Sequence, residues 1–216
     1  MSEGNVIRKR RAAAEADPIA YDAKRKEIAE AAVKVFDRMG FQKASISAVA
    51  QEMQVDRSTL YYYISSKEEL FDEVVRTVVE RNLELVERIA RSKVRPARKL
   101  RDMITSIMSS YGEHYPLFYI YIRENLSHVS DERSVWSRHM RDLNQKTIDA
   151  MVSVIEEGFA DGSLRRSGSA TIIAYGIFGI IGWTHRWFRP QTSKVSAEEI
   201  GQTYADMILS GMEMPY

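Results

Sequence analysis

The sequence predicts an all-α protein of about nine helices, in which a small N-terminal helix-turn-helix unit precedes a larger helical body. Three observations carry this prediction. Apolar residues recur at helical spacing along most of the chain, no alternating strand pattern or internal repeat appears, and the periodic segments are punctuated by capping residues, prolines and glycines. With 216 residues and 44% hydrophobic composition, the chain can bury a real core.

Residues 1–20 read as a disordered basic arm carrying Arg8, Lys9, Arg10 and Arg11; they lack the apolar run of a signal peptide. Ile28, Ala31, Ala32, Val35, Phe36 and Met39 stripe the first helix, which Gly40 stops. Two short segments follow. Ile46, Val49 and Ala50 form one apolar face, Val55 sits in a turn, and Leu60 anchors a second helix with Asp56 as its expected N-cap. The capping box from Ser66 to Glu69 starts a long helix marked by Leu70, Phe71, Val74, Val75, Val78, Leu85 and Ile89.

Pro96 opens the next helix, with Leu100, Met103, Ile104, Ile107, Met108 and Tyr111 on one face, and Pro116 breaks the chain before an aromatic segment with Phe118, Tyr119 and Tyr121. Trp136, Met140, Leu143, Ala150, Met151 and Val154 stripe a helix that ends near Gly158 and Gly162. The run "SGSATIIAYGIFGIIGWT", Ser167 to Thr184, is uncharged but short for a membrane span and contains four glycines, so it reads as a buried helix. Gly176, Gly179 and Gly182 leave one side of it nearly bare, open to close approach by another backbone or a ligand. A last helix starts at the capping box Ser196 to Glu199, with Ile200, Tyr204 and Ile208 inward.

Charge is uneven although the net value is +1: residues 1–67 carry 12 Lys or Arg against 9 Asp or Glu. A basic arm ahead of a folded unit is a recurrent way to hold a phosphate backbone or reach a minor groove. The absence of cysteine excludes a disulfide scaffold, a thiolate zinc site and a cysteine nucleophile, and points to a reducing cytoplasm. Catalysis has little support. His114, His128, His139 and His185 are scattered, Glu124 and His128 are the one carboxylate–imidazole pair at one-turn spacing, and no phosphate loop, nucleophile elbow or zinc motif is present. The protein is therefore read as a non-enzyme with no cofactor or metal.

Two short helices joined by a tight turn place the N-terminal residues of the second at base edges in the major groove. Arg57, Ser58, Thr59, Tyr61 and Tyr62 have that access, and Arg57 can fork onto a guanine. Ser45, Ser47 and Lys67, at helix starts, can hold phosphates. Adjacent helical positions point about 100° apart, so Tyr61, Tyr62 and Tyr63 cannot all be core residues.

The stretch "RKEIAEAAVKVFDRMGFQKASISAVAQEMQVDRSTLYYYISSKEELF" resembles the DNA-binding domain of the TetR family of bacterial transcription regulators. Two positions depart from the family pattern: Gln54 stands where the turn usually has glycine, which puts a non-glycine residue where positive φ is wanted, and Ile64 replaces a phenylalanine while keeping an apolar plug. The resemblance implies a DNA-binding domain over 21–66, a ligand-binding and dimerisation domain over 67–216, a homodimer on a palindromic duplex operator, and repression relieved by a small molecule. "GIIGWTHRWFRP" is similar to the C-terminal domain of regulators of fatty acid, steroid and phenylacetate breakdown, and that similarity implies a coenzyme A thioester as effector. An acyl group would need an apolar lining, for which Met103, Ile107, Met108, Tyr111, Phe118, Tyr119, Phe178, Trp183 and Trp187 are candidates. Phosphates would need Arg186 and Arg189, with Arg123 as an outer candidate. Plain core packing and helix C-terminal capping are the structural alternatives for these residues, and a different hydrophobic effector or a protein partner the functional ones.

Overall fold

The computed structural model describes residues 17–127 and 135–212; the side chains of residues 72–73, 123–127 and 135–138 lie outside the description. Nine α-helices and no strands occur among the described residues. The chain divides into two compact units, one up to Arg76 and the other from Thr77.

In the first unit, helix α1 spans Pro18–Met39, so it begins inside the stretch expected to be the arm. Asp17 caps it, accepting a hydrogen bond from the Ala20 amide at 3.0 Å, and Pro18 supplies a preset φ where no amide bond is needed. Gly40 ends it at φ 76°, in the region that favours glycine. Helix α2, Ile46–Glu52, is capped by Ser45 and buries Ile46, Val49 and Ala50. Helix α3, Arg57–Leu60, buries Leu60. Asp56 occupies its N-cap position but makes no side-chain capping bond; its carbonyl accepts from the Thr59 amide instead, at 2.9 Å. Gln54 does adopt φ 55° in the intervening turn, a strained but tolerable conformation for a residue with a Cβ.

The rings of Phe36, Phe41 and Phe71 form the heart of this unit, with centroids 4.6 to 5.7 Å apart. Phe71 comes from helix α4, Lys67–Ala90, within which the division between units falls. The Ser66 hydroxyl caps α4 through the Glu69 amide at 3.0 Å, while the Glu69 carboxylate reaches back to the Ser65 amide at 2.6 Å.

The second unit is built around helix α5, Pro96–Glu113, which buries Leu100, Met103, Ile104, Ile107, Met108 and Tyr111. Helices α6 (Leu117–Ser127), α7 (Val135–Ala160), α8 (Ala170–Trp183) and α9 (Ala197–Ser210) follow, with a 3₁₀ turn at Thr184–Arg186. Helix α9 lies close along α5 because Gly201 has no side chain; a Cβ there would stand 2.9 Å from the Thr105 Cα. Val154 and Ile155 of α7 join the same core. Lys99 is buried to 3% exposure and its Nζ is paired with both Glu157 carboxylate oxygens, at 3.0 and 2.7 Å.

Helix α8, expected as a buried helix, is buried on one side only. Ala170, Ala174, Ile177 and Ile181 face the core, but Ile172 is 72% and Trp183 63% exposed, with Tyr175 and Ile180 beside them. A helix apolar on every side has no periodic signal to say which face the core takes. None of the described helices is long and apolar enough to cross a membrane.

Candidate functional site

Burial of Ile46, Val49, Ala50, Leu60 and Ile64 turns one side of the α2-turn-α3 unit inward. Ser45, Ser47, Arg57, Ser58 and Tyr62 remain exposed, and Thr59 and Tyr61 are half-buried. The three tyrosines lie in the turn after α3 and not on a helix as expected, and they divide: Tyr62 points to solvent, while Tyr63 stacks at 5.1 Å on Tyr21 and its carbonyl accepts from Arg25 at 2.6 Å. The Arg57 guanidinium donates to the Tyr61 hydroxyl from Nε at 3.1 Å and from a terminal nitrogen at 2.5 Å, and lies 5.2 Å from that ring. One turn of helix thus holds the guanidinium against its neighbour.

Two expected phosphate contacts have structural duties as well. The Ser45 hydroxyl accepts from the Ala48 amide at 3.2 Å as the cap of α2. The Lys67 ammonium donates to the carbonyls of Phe41 and Gln42, both at 3.0 Å, and sits 4.8 Å over the Phe41 ring. An ammonium has three donors, so these two bonds leave one for another acceptor. Arg8, Lys9, Arg10 and Arg11 lie outside the described residues.

In the second unit, the expected lining residues fall into two groups. Met103, Ile107, Met108 and Tyr111 are buried on α5, with Phe118, Tyr119 and Phe178 packed partly buried against the same core. Trp183, Arg186 and Trp187 are exposed instead, and Arg186 stacks on Trp183 at 5.2 Å. Arg189 belongs with the first group: it donates to the Tyr115 hydroxyl at 2.8 Å and lies 5.0 Å over the Tyr119 ring. Arg186 and Arg189 thus engage different aromatic partners, and Arg123 lies outside the described side chains.

Sequence reasoning missed Tyr115, His185 and Phe188. The Phe188 ring closes on Tyr111 at 5.9 Å, and His185 approaches Tyr119 at 6.3 Å while its Nδ1 meets the Gly182 carbonyl at 2.6 Å. Tyr111, Tyr115 and Tyr119 recur every fourth residue, a signal that was available but hidden by reading Pro116 as a break. Burial, reinforced by the neighbouring phenols of Tyr115 and Tyr119, pushes the Tyr111 phenol well above its ordinary range. A cavity of about 400 Å³ adjoins Phe188, between the end of α5 and the start of α9, lined also by Ser109, Glu113, Val195 and Glu198. No cluster of three or more His, Asp or Glu that could hold a metal occurs among the described residues.

Comparison with known proteins finds two family matches along the chain. Residues 28–74 match the family described as bacterial regulatory proteins of the tetR family, and residues 93–212 match the tetracyclin repressor-like C-terminal domain. The transcriptional repressor KstR2 of Mycobacterium tuberculosis is 23% identical over 191 residues, covering 88% of this chain and 94% of that protein. Its solved structure, described as a ketosteroid transcriptional regulator, superposes with a TM-score of 0.80 at 22% identity, over 89% of this chain and 96% of that one. AibR, solved with isovaleryl coenzyme A and operator DNA, gives 0.71 at 18% identity over 85% and 96%. FadR of Bacillus subtilis, solved with stearoyl-CoA, gives 0.69 at 18% identity over 86% and 98%.

Proposed function

We propose that this chain, which belongs to the TetR family of bacterial regulatory proteins, is a cytoplasmic, homodimeric transcriptional repressor that an acyl-coenzyme A thioester releases from a palindromic operator. The observation that carries the DNA-binding part is the sidedness of the α2-turn-α3 unit: Leu60 and Ile64 are buried and Arg57, Ser58 and Tyr62 are left outside. Arg57 reads a base, Tyr61 and Tyr62 flank the groove with Thr59, and Ser45, Ser47, Lys67 and the arm from Arg8 to Arg11 hold phosphates. The DNA-binding domain is 21–66 and the effector and dimerisation domain 67–216.

The effector reading is supported by two structural neighbours bound to acyl-coenzyme A and by an aromatic and Met-rich body with cations at its surface. The acyl chain occupies the region of Met103, Ile107, Met108, Tyr111, Phe118, Tyr119 and Phe178. The phosphates meet Arg189, with Arg186 further out beside Trp183 and Trp187, and Arg123 is a further candidate cation. Binding shifts α4, which belongs to both units, and changes the spacing of the two recognition helices. Moving a population from 1:99 to 99:1 requires about 5.5 kcal/mol of differential affinity, and two charge-assisted contacts supply roughly half or more of it.

The test is titration of acyl-coenzyme A thioesters of several lengths, and the matching free acids, into a protein–operator complex found by footprinting. Release by thioesters alone is expected. Release by free acids alone places the effector in another chemical class, and an absence of any symmetric footprint overturns the operator assignment.

A further inference from the structure

The Tyr111 hydroxyl is one of three buried side-chain oxygens among the described residues, with Thr105 Oγ1 and Ser163 Oγ, that find no hydrogen-bond partner, and it is the one on an aromatic ring. That ring is fully buried among Tyr115, Phe118 and Phe188. Buried hydroxyls are almost always paired, and one left unpaired makes the folded state less stable. A phenylalanine would fill the same space without that penalty. The hydroxyl also remains protonated, since burial opposes formation of the phenolate. It is a hydrogen-bond donor awaiting an acceptor.

The chemistry of the surroundings limits what that acceptor can be. Next to the apolar rings of Phe118 and Phe188 an ionised group would be costly to bury, whereas an uncharged oxygen would not. From Tyr111 the phenols of Tyr115 and Tyr119 lead outward to the exposed Arg189 guanidinium, which is bonded to the first and stacked on the second. A ligand seated along this line meets a neutral-acceptor site inside and a cation outside.

We infer that the Tyr111 hydroxyl is the inner polar anchor of the effector site, donating to an uncharged carbonyl oxygen of a ligand whose anionic part lies at Arg189. The inference rests on the effector reading above and deepens it, because it separates a thioester, with its carbonyl and charge far apart, from a free acid, in which both are one group. Phe188, which touches Tyr111 and also lines the adjoining cavity, is the side chain that must turn for a ligand to reach the hydroxyl.

The experiment compares wild-type protein with Tyr111→Phe by thermal unfolding and by calorimetric titration with octanoyl-coenzyme A and its S-octyl thioether, which lacks the carbonyl. Tyr111→Phe is expected to raise the melting temperature of the free protein. Wild type is expected to bind the thioester roughly tenfold more tightly than the thioether, and Tyr111→Phe to bind the two alike. A lowered melting temperature in the variant overturns the inference, since the hydroxyl would then have a stabilising partner. Equal binding of both compounds by wild type overturns the carbonyl site while leaving the acyl-coenzyme A reading intact. Failure of wild type to bind either compound overturns both.

Discussion

Arg57 is exposed, yet its guanidinium is held by the hydroxyl and ring of Tyr61 one turn away. Such a pairing restricts a long side chain before it meets DNA, which reduces the entropy lost on association. Arg57→Ala is therefore expected to relax base preference at one position per half-site by about 1–3 kcal/mol, and Tyr61→Phe to relax the same position by less, with non-specific affinity kept. Binding measurements on operators substituted at each position check this; uniform weakening by Tyr61→Phe would show that its hydroxyl serves a phosphate instead. Lys99 gives a stability test at the same scale. Glu157→Gln leaves an ammonium at 3% exposure without its carboxylate and is expected to lose about 1–3 kcal/mol in urea unfolding, while Lys99→Met stays close to wild type.

Helix α8 shows how one element can serve two surfaces. Its Ala170, Ala174, Ile177 and Ile181 pack inward, and on the other side Ile172, Tyr175, Ile180 and Trp183 flank glycines around which added Cβ atoms would meet nothing within 4 Å. An exposed apolar face of this kind suits a partner helix, and two-fold symmetry lets the same face cover itself. Sedimentation at micromolar concentration is expected to show a dimer formed by Ala150–Phe159 and Ser169–Trp183, and the pair Tyr175→Lys with Trp183→Glu to give a folded monomer. Gly201 behaves oppositely: Gly201→Ala drives a methyl against the backbone of Thr105, and a loss of about 1–3 kcal/mol is expected despite better helix propensity.

At the scale of the whole molecule, the proposed operator binding and the proposed dimerisation are linked. Two copies on a palindrome place their recognition helices about one turn apart, roughly 34–36 Å, so a monomeric variant is expected to keep non-specific affinity and lose operator preference. Removing residues Arg8 to Arg11 is expected to weaken all sequences alike and to flatten the salt dependence, by a slope of roughly 0.9 for each phosphate that is no longer neutralised. Binding isotherms at several salt concentrations measure both effects.

By itself the sequence determined the all-helical class, most element starts and stops, and the helix-turn-helix, because capping and periodicity are local: Ser45, Ser66, Ser169 and Ser196 each bond an amide three residues on. It also marked the strained turn, since only the type of residue at Gln54 is needed to see the conflict with positive φ. What the tertiary structure alone decided was the inward side of α8, the division of Arg186 from Arg189, and the unpaired state of the Tyr111 hydroxyl. Each depends on packing between segments far apart in the chain: Arg189 finds Tyr115 across 74 positions, and Lys99 finds Glu157 across 58. Periodicity records how often a side chain faces a core, whereas which core, and which partner within it, is set by how the helices pack against one another.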